Sequence, residues 1–311
     1  MKIIGNCRAR SLVLAATLGL GLGFATHASA LDYSYLIDLN SKEVTNLGNH
    51  VGAVAINDSG QVIGASNRGA FITGPNGVGM AFLGHSARAN GINASGQVVG
   101  GASSGGTNPH GYAFISGPNG GLYNLNVPTI DSSANAINDA GQVIGESGLG
   151  AFITGPNGRG VTYLGSLGGG ESYASGINAS GQVVGRSNSA AGYPHAFITG
   201  PNGVDMTDLG TLGGNRSEAF GINDAGQVVG QSYAPDGHGY AFITGPNGVG
   251  MTYLGALVDL PTGAILTSAA DTNNMGQVIV SASIVPEPES YALMLAGLAL
   301  MGAMVRRKQR G

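Results

Sequence analysis

Cysteine is almost missing from this chain of 311 residues, and Cys7 is the only one. It precedes the first apolar run, so it is no lipoprotein acceptor, and cleavage behind that run leaves no thiol. Disulfides, cysteine-based metal sites and thiol catalysis are thereby excluded for the mature form. Tryptophan is absent, and charged residues make up only 10%. Basic residues are scarce away from the ends. Of 13 Lys and Arg, three (Lys2, Arg8, Arg10) open the chain and four (Arg306, Arg307, Lys308, Arg310) close it. Residues 31–284 keep six against 15 Asp and Glu, a formal charge of −9. Such a surface repels phosphate backbones, which argues against nucleic acid as a partner. No HExxH or P-loop pattern occurs, and no cofactor or metal is expected.

Glycine is abundant, with 57 residues. Together with the low charge, this predicts short strands joined by tight turns, neither a helical enzyme nor a disordered chain. Three segments follow. Residues 1–30 have a basic start, the apolar run SLVLAATLGLGLGFA and an A-x-A site at Ala28-Ser29-Ala30. That is a secretory signal peptide, with signal peptidase cutting before Leu31. Residues 31–284 form the repeated domain, and residues 285–311 a separate tail.

The repeat is visible by eye. I-N-x-x-G-Q-V recurs as INDSGQVIG, INASGQVVG, INDAGQVIG, INASGQVVG and INDAGQVVG, with a degenerate TNNMGQVIV at 272–280. The turn residues are Asn57 and Gly60, Asn93 and Gly96, Asn138 and Gly141, Asn178 and Gly181, Asn223 and Gly226. Their glycines, continued to Gly276, are spaced 36 to 50 residues apart. A second cassette, AFITGPNG or AFISGPNG, alternates with the first. Each reads as a hairpin. The first predicts a type I turn closed by a left-handed glycine, its Asn side chain bonding backbone two residues on. The second has Pro presetting the turn. Two hairpins give four strands per repeat of about 40 residues, the length of a propeller blade.

YSYLIDLNSKEVTNLG (33–48) lies without gaps on YAFITGPNGVGMTYLG (240–255), while the sixth GQV cassette has no second hairpin after it. The N-terminus thus carries what the last repeat lacks. The predicted fold is all-β, a six-bladed propeller-like ring of four-stranded repeats closed by the N-terminal hairpin, because closure removes exposed edges.

PHAFITGPNG and HGYAFITGPNG, followed by LGSLGG or LGTLGG and GINASGQVVG, resemble the extracellular repeats called HAF. The resemblance spans nearly all of residues 33–281 and departs at Phe71 and Phe152, where GAF replaces HAF. It implies an exported β-rich repeat protein and brings no established reaction.

Several residues are candidates for chemistry. His110, His195 and His238 precede matching strands; on separate blades they read as strand-edge residues bonded to a neighbouring blade, not convergent metal ligands. Asp58, Asp139 and Asp224 share the N-D-x-G turn with Ala94 and Ala179, so they read as turn formers. Asp271 to Gly276 only weakly echoes a calcium loop. Glu146, Arg186, Glu171, Arg216 and Glu218 break the repeat. Glu146 with Arg186 would make a cross-blade ion pair, and Glu171 with Glu218 an acid–base pair for a glycan. Thr73, Ser116, Thr154, Thr199 and Thr244 place one hydroxyl in each repeat, a ladder in a solenoid and a ring in a propeller.

The tail joins Pro286-Glu287-Pro288 to an apolar run, Tyr291–Val305, and then to Arg306, Arg307 and Lys308. Its transmembrane helix is expected over 290–305, short of the ~20 residues of a stable span. The cationic end would stay cytoplasmic. This order resembles the PEP-CTERM sorting signal. The resemblance implies a Gram-negative bacterium, processing by exosortase near the PEP residues and association with exopolysaccharide or biofilm. The expected protein is a secreted cell-surface or matrix repeat module, non-catalytic, only transiently in the inner membrane. The alternatives are a propeller enzyme acting on extracellular polysaccharide and a Thr-faced adhesin or ice-binding protein.

Overall fold

The computed structural model describes strand backbone at 2–5, 33–38 and 44–49, and then residues 51–284 apart from 58, 85, 104–109, 118–120, 130, 261–263, 275 and 277. Every described element is a β-strand or a 3-10 turn of three or four residues. The chain divides into two compact units. The first holds residues 1–166, 170–183 and 199–206, and the second holds 167–169, 184–198 and 207–311.

The first unit opens with β1 (Lys2–Gly5), β2 (Tyr33–Asp38) and β3 (Val44–Asn49), an antiparallel sheet in that order. A four-stranded meander follows: β4 (Val51–Ile56), β5 (Val62–Ser66), β6 (Gly69–Thr73) and β7 (Met80–Gly84). The next contains β8 (Ala87–Ile92), β9 (Val98–Ser103), β10 (Gly111–Ser116) and β11 (Leu122–Asn124). The third contains β12 (Ser132–Ile137), β13 (Val143–Ser147), β14 (Gly150–Thr154) and β15 (Val161–Tyr163). Strand β16 (Gly168–Ile177) lies largely in the first unit.

The second unit takes up the pattern with β17 (Val183–Ser189), β18 (Pro194–Ile198) and β19 (Thr207–Gly210), paired antiparallel. Another four-stranded meander contains β20 (Ser217–Ile222), β21 (Val228–Tyr233), β22 (Gly239–Ile243) and β23 (Thr252–Tyr253). Among the described residues the last sheet has β24 (Ala264–Thr272) and β25 (Val278–Ile284). The two-hairpin repeat is therefore present as four-stranded antiparallel meanders. The ends of the chain depart from it: the N-terminal hairpin is three-stranded through β1, and the last sheet is two-stranded.

The turns explain why the cassettes fold as they do. Gly141 has φ 76° and its N–H donates to the Asn138 carbonyl at 2.9 Å. Glycine takes that left-handed conformation without the Cβ penalty. The expected Asn bond to backbone two residues on is replaced by a longer one. Asn138 Oδ1 accepts the N–H of Gln142, four residues on, at 3.0 Å. The left-handed glycine turns that N–H back over the Asn side chain. In Gly-Pro-Asn-Gly the Asn itself is left-handed, with φ from 53° to 59° at Asn76, Asn157, Asn202 and Asn247.

Both faces of most central strands are covered, so the strands read as continuous apolar runs. Phe71, Phe114, Phe152, Phe197 and Phe242 are fully buried. Burying each such side chain contributes roughly 1.5–3 kcal/mol. Phe114 packs with Ile63 and Ala70 of the preceding sheet, and Phe152 with Val99 and Ala113 of its own predecessor. In the second unit Phe242 meets Ala196 and Ile198 in the same way. The side chain of Asn138 also donates to the carbonyl of Asn178 at 3.0 Å, and Asn57 and Asn93 repeat that link to Asn93 and Asn138. The repeated asparagine thus shapes its own turn and ties it to the next one.

Candidate functional site

The hydroxyls of the second cassette are turned inward. Thr73, Ser116, Thr154, Thr199 and Thr244 are only 2–4% exposed. Each accepts a main-chain N–H, from Val62, Val98, Val143, Val183 and Val228 respectively, at 2.8–2.9 Å. These positions pin the fourth strand residue of AFIT to the start of the GQV strand. A Thr-faced adhesin or ice-binding surface needs those hydroxyls in solvent, so that reading is set aside.

Two of the three histidines, His195 and His238, meet nearby aspartates. His195 Nδ1 lies 2.8 Å from Asp208 Oδ2, and both belong to the β17–β19 sheet. The partner expected on a neighbouring blade is instead across one ladder, because Phe197 faces Asp208 there. His238 lies 3.6 Å from Asp236 through Nδ1, while its main-chain N–H donates to the same carboxylate at 2.9 Å. Among the described residues no three His, Cys, Asp or Glu gather as a metal site. The turn aspartates serve neighbouring turns. Asp139 accepts the N–H of Ala94 at 2.8 Å, and Asp224 is bound by Asn274 Nδ2 at 2.6 Å. Asp58 lies outside the described residues.

Of the residues that break the repeat, Arg186 and Glu218 come together, with Nε to Oε1 at 3.4 Å. Burial pushes the Glu218 carboxyl above the usual carboxylate range, and the Arg186 charge partly offsets this. Glu146 stands on β13 and Glu171 on β16, both in the first unit, whereas Arg186 and Glu218 belong to the second. Arg216 is exposed. Gly101-Ala102-Ser103-Ser104-Gly105 satisfies the G-x-S-x-G spelling, yet Ser103 ends β9 within a meander and not at a strand-to-helix elbow.

Two clefts remain. One, of about 420 Å³ in the second unit, is lined by Gln231, Asp236, His238, Tyr240, Thr267 and Ser283. The Tyr240 hydroxyl donates to Asp236 Oδ2 at 2.6 Å, and its ring meets Tyr253 edge-on at 5.3 Å. That hydrogen bond holds the Asp236 carboxyl below its ordinary range and raises the Tyr240 phenol. The other cleft, of about 750 Å³ in the first unit, is lined by Gln61, Phe82, Gln97, Asp139 and Asn157 among others. Amides, carboxylates and aromatic rings can hydrogen-bond and stack on a polar ligand. Sequence reasoning missed Asp208, Asp236 and Tyr240, because their spacing to histidine does not recur between repeats.

Residues 285–308 match the PEP-CTERM protein-sorting motif. This motif indicates an extracellular or cell-surface protein of a Gram-negative bacterium, processed by exosortase during export. No characterised protein sequence matches the chain. Among solved structures it is similar to a TolB from Agrobacterium tumefaciens, with TM-score 0.51, 12% identity, and coverage of 82% of this chain and 98% of that one. Oligogalacturonate lyase in complex with manganese is similar at TM-score 0.50 and 11% identity, over 82% and 83% of the two chains. TolB from Acinetobacter baumannii gives 0.49 and 12%, and this chain spans only 57% of its length and 70% of its own. At such identities the first two likenesses show the fold alone: all-β, of the β-propeller kind.

The motif covers Pro286, Glu287, Pro288, Arg306, Arg307 and Lys308, all outside the described residues, as are Ala28, Ala30 and Leu31 of the signal-peptidase site. Among the described residues no helix is long and apolar enough to cross a membrane, and 290–305 lies beyond them.

Proposed function

We propose that the chain is an exported, exosortase-sorted propeller of HAF-type repeats that serves at the cell surface or in the biofilm matrix as a non-catalytic binding and structural module. The observation that carries this reading is the sorting motif, which begins at residue 285 directly after β25 ends at Ile284. Signal peptidase acts before Leu31, the run 290–305 holds the protein briefly in the inner membrane, and exosortase acts at Pro286-Glu287-Pro288. Exopolysaccharide is the proposed partner, since the two clefts offer amides, carboxylates and aromatic rings.

The mature ring is proposed to close by pairing β2 with β25. Two observations support it, one at each end. Leu47, 6% exposed, packs on Ala53 of the following sheet as Leu254 packs on Ala269. That packing supports reading the N-terminal hairpin as the outer half of a sheet. At the other end Ile279 is 61% exposed, whereas its counterparts Ile63, Val99, Ile144, Val184 and Val229 are fully buried. That exposure supports reading β25 as an inner half, with no outer strand beside it among the described residues.

A second reading, a glycan hydrolase or lyase, is favoured by the raised Glu218 carboxyl beside Arg186. One experiment separates the two. The secreted protein is sedimented with exopolysaccharide from the producing cells, and polysaccharide chain length is followed. Co-sedimentation without shortening is expected; shortening abolished by Glu218→Gln would move the assignment to the enzyme, and neither result would leave the module reading without support.

A further inference from the structure

We propose that Asn76, Asn157, Asn202 and Asn247 are latent deamidation sites, held silent by the folded turn and released when a repeat opens. Each stands in Gly-Pro-Asn-Gly, is exposed to solvent and is followed by glycine. A fifth such pair, Asn119-Gly120, lies outside the described residues. Asn-Gly suits this reaction because glycine puts no side chain in the way of its own nitrogen. That nitrogen attacks the Asn Cγ, and the new N–Cγ bond closes a five-membered succinimide. The Cγ–Nδ2 bond breaks, and the side-chain nitrogen leaves as ammonia with the glycine proton. Water then opens the ring to aspartate or to isoaspartate, whose backbone is one carbon longer.

By sequence these sites should be the first to react, yet the turn closes them twice over. Ring formation needs the glycine nitrogen nearly eclipsed with the Asn Cβ about the Cα–C bond. At the observed ψ of 28° to 34° that nitrogen lies nearly anti to Cβ. The bond has to turn well past a right angle before Cγ comes within reach. The left-handed φ of 53° to 59°, which Asn tolerates better than most residues, fixes the chain in this geometry. The attacking N–H is also engaged. Gly77, Gly158, Gly203 and Gly248 donate to the carbonyls of Gly60, Gly141, Gly181 and Gly226 at 2.9–3.1 Å. Each acceptor is the left-handed glycine of the Asn-x-x-Gly-Gln turn in the same repeat. The two hairpins of a repeat thus hold each other's turns, and that hold keeps the Asn intact. The longer isoaspartate backbone would shift the glycine N–H off its carbonyl, so an opening that reacts is recorded permanently.

The test is peptide mass spectrometry of the secreted protein after incubation at mildly alkaline pH, in buffer and in unfolding guanidinium chloride. Each of the four sites should deamidate at least about tenfold more slowly in buffer, because reaction waits for local opening. A second comparison localises the effect. A Cβ on Gly141 would lie 2.9 Å from the Asn157 nitrogen, and one on Gly226 would lie 2.8 Å from the Asn247 nitrogen. Gly141→Ala should therefore release Asn157 and leave Asn247 silent, and Gly226→Ala should do the reverse. Equal rates in buffer and denaturant would overturn the proposal. So would a folded Gly141→Ala protein in which Asn157 reacts as slowly as in the parent. If either variant unfolds, both sites react together, and the parent's ratio of the two rates decides alone.

Discussion

Asn138 binds Gln142 and Asn178 at once: its Oδ1 accepts the Gln142 N–H at 3.0 Å, and its Nδ2 reaches the Asn178 carbonyl at 3.0 Å. The same side chain thus closes one turn and ties it to the turn 40 residues later. Asn138→Ala leaves a buried N–H and a carbonyl without these partners, a loss of about 1–3 kcal/mol for each buried group. Urea unfolding of the mature protein should show the midpoint falling accordingly. An unchanged midpoint would mean the tie contributes nothing to stability.

Thr154→Val keeps the side-chain volume but removes the hydroxyl that accepts the Val143 N–H at 2.9 Å. The expected outcome is destabilisation by about 1–3 kcal/mol, since a buried donor is left unpaired. A surface-binding role would predict the reverse pattern, normal stability with lost binding. Thermal denaturation read beside a thermal hysteresis assay distinguishes them.

Glu218 should make stability depend on pH. Its folded carboxyl is raised by burial, partly countered by Arg186, so the native state binds that proton more tightly than the unfolded chain does. Its contribution is present below the unfolded value and is lost as pH rises through the folded one. Glu218→Gln should therefore gain stability relative to the parent as pH rises across the range from the ordinary carboxylate value to the raised folded one. A gap that stays constant across that range would show that Glu218 binds its proton alike in both states.

Sorting should fail when the address is altered. Pro286→Ala with Pro288→Ala removes both prolines, the residue type that a helix interior excludes. The exported fraction should then keep its tail, read by intact mass as retention of Arg306, Arg307 and Lys308. Tail removal from that variant at the normal rate would place the recognition elsewhere in 285–308.

Much of this molecule was legible because its information is local. Asn-x-x-Gly-Gln and Gly-Pro-Asn-Gly state their turn types in a few residues, and the alternating hairpins then imply four strands per repeat. The site was less legible. His195 finds Asp208 and Tyr240 finds Asp236 through ladder and loop geometry that does not recur between repeats. The hydroxyl of Thr154 looked the same on paper whether it faced water or the Val143 N–H, and only strand pleat decided which.

By itself, then, the sequence determined the turns, the strands, the repeat and the sorting address, since each depends on neighbours within a few residues. Tertiary structure decided which side chains are buried, which carboxylate meets which cation, and that β1 takes the β2 edge while Ile279 stands exposed. Those outcomes depend on residues far apart in the chain, such as Asn138 and Asn178, which meet only through folding.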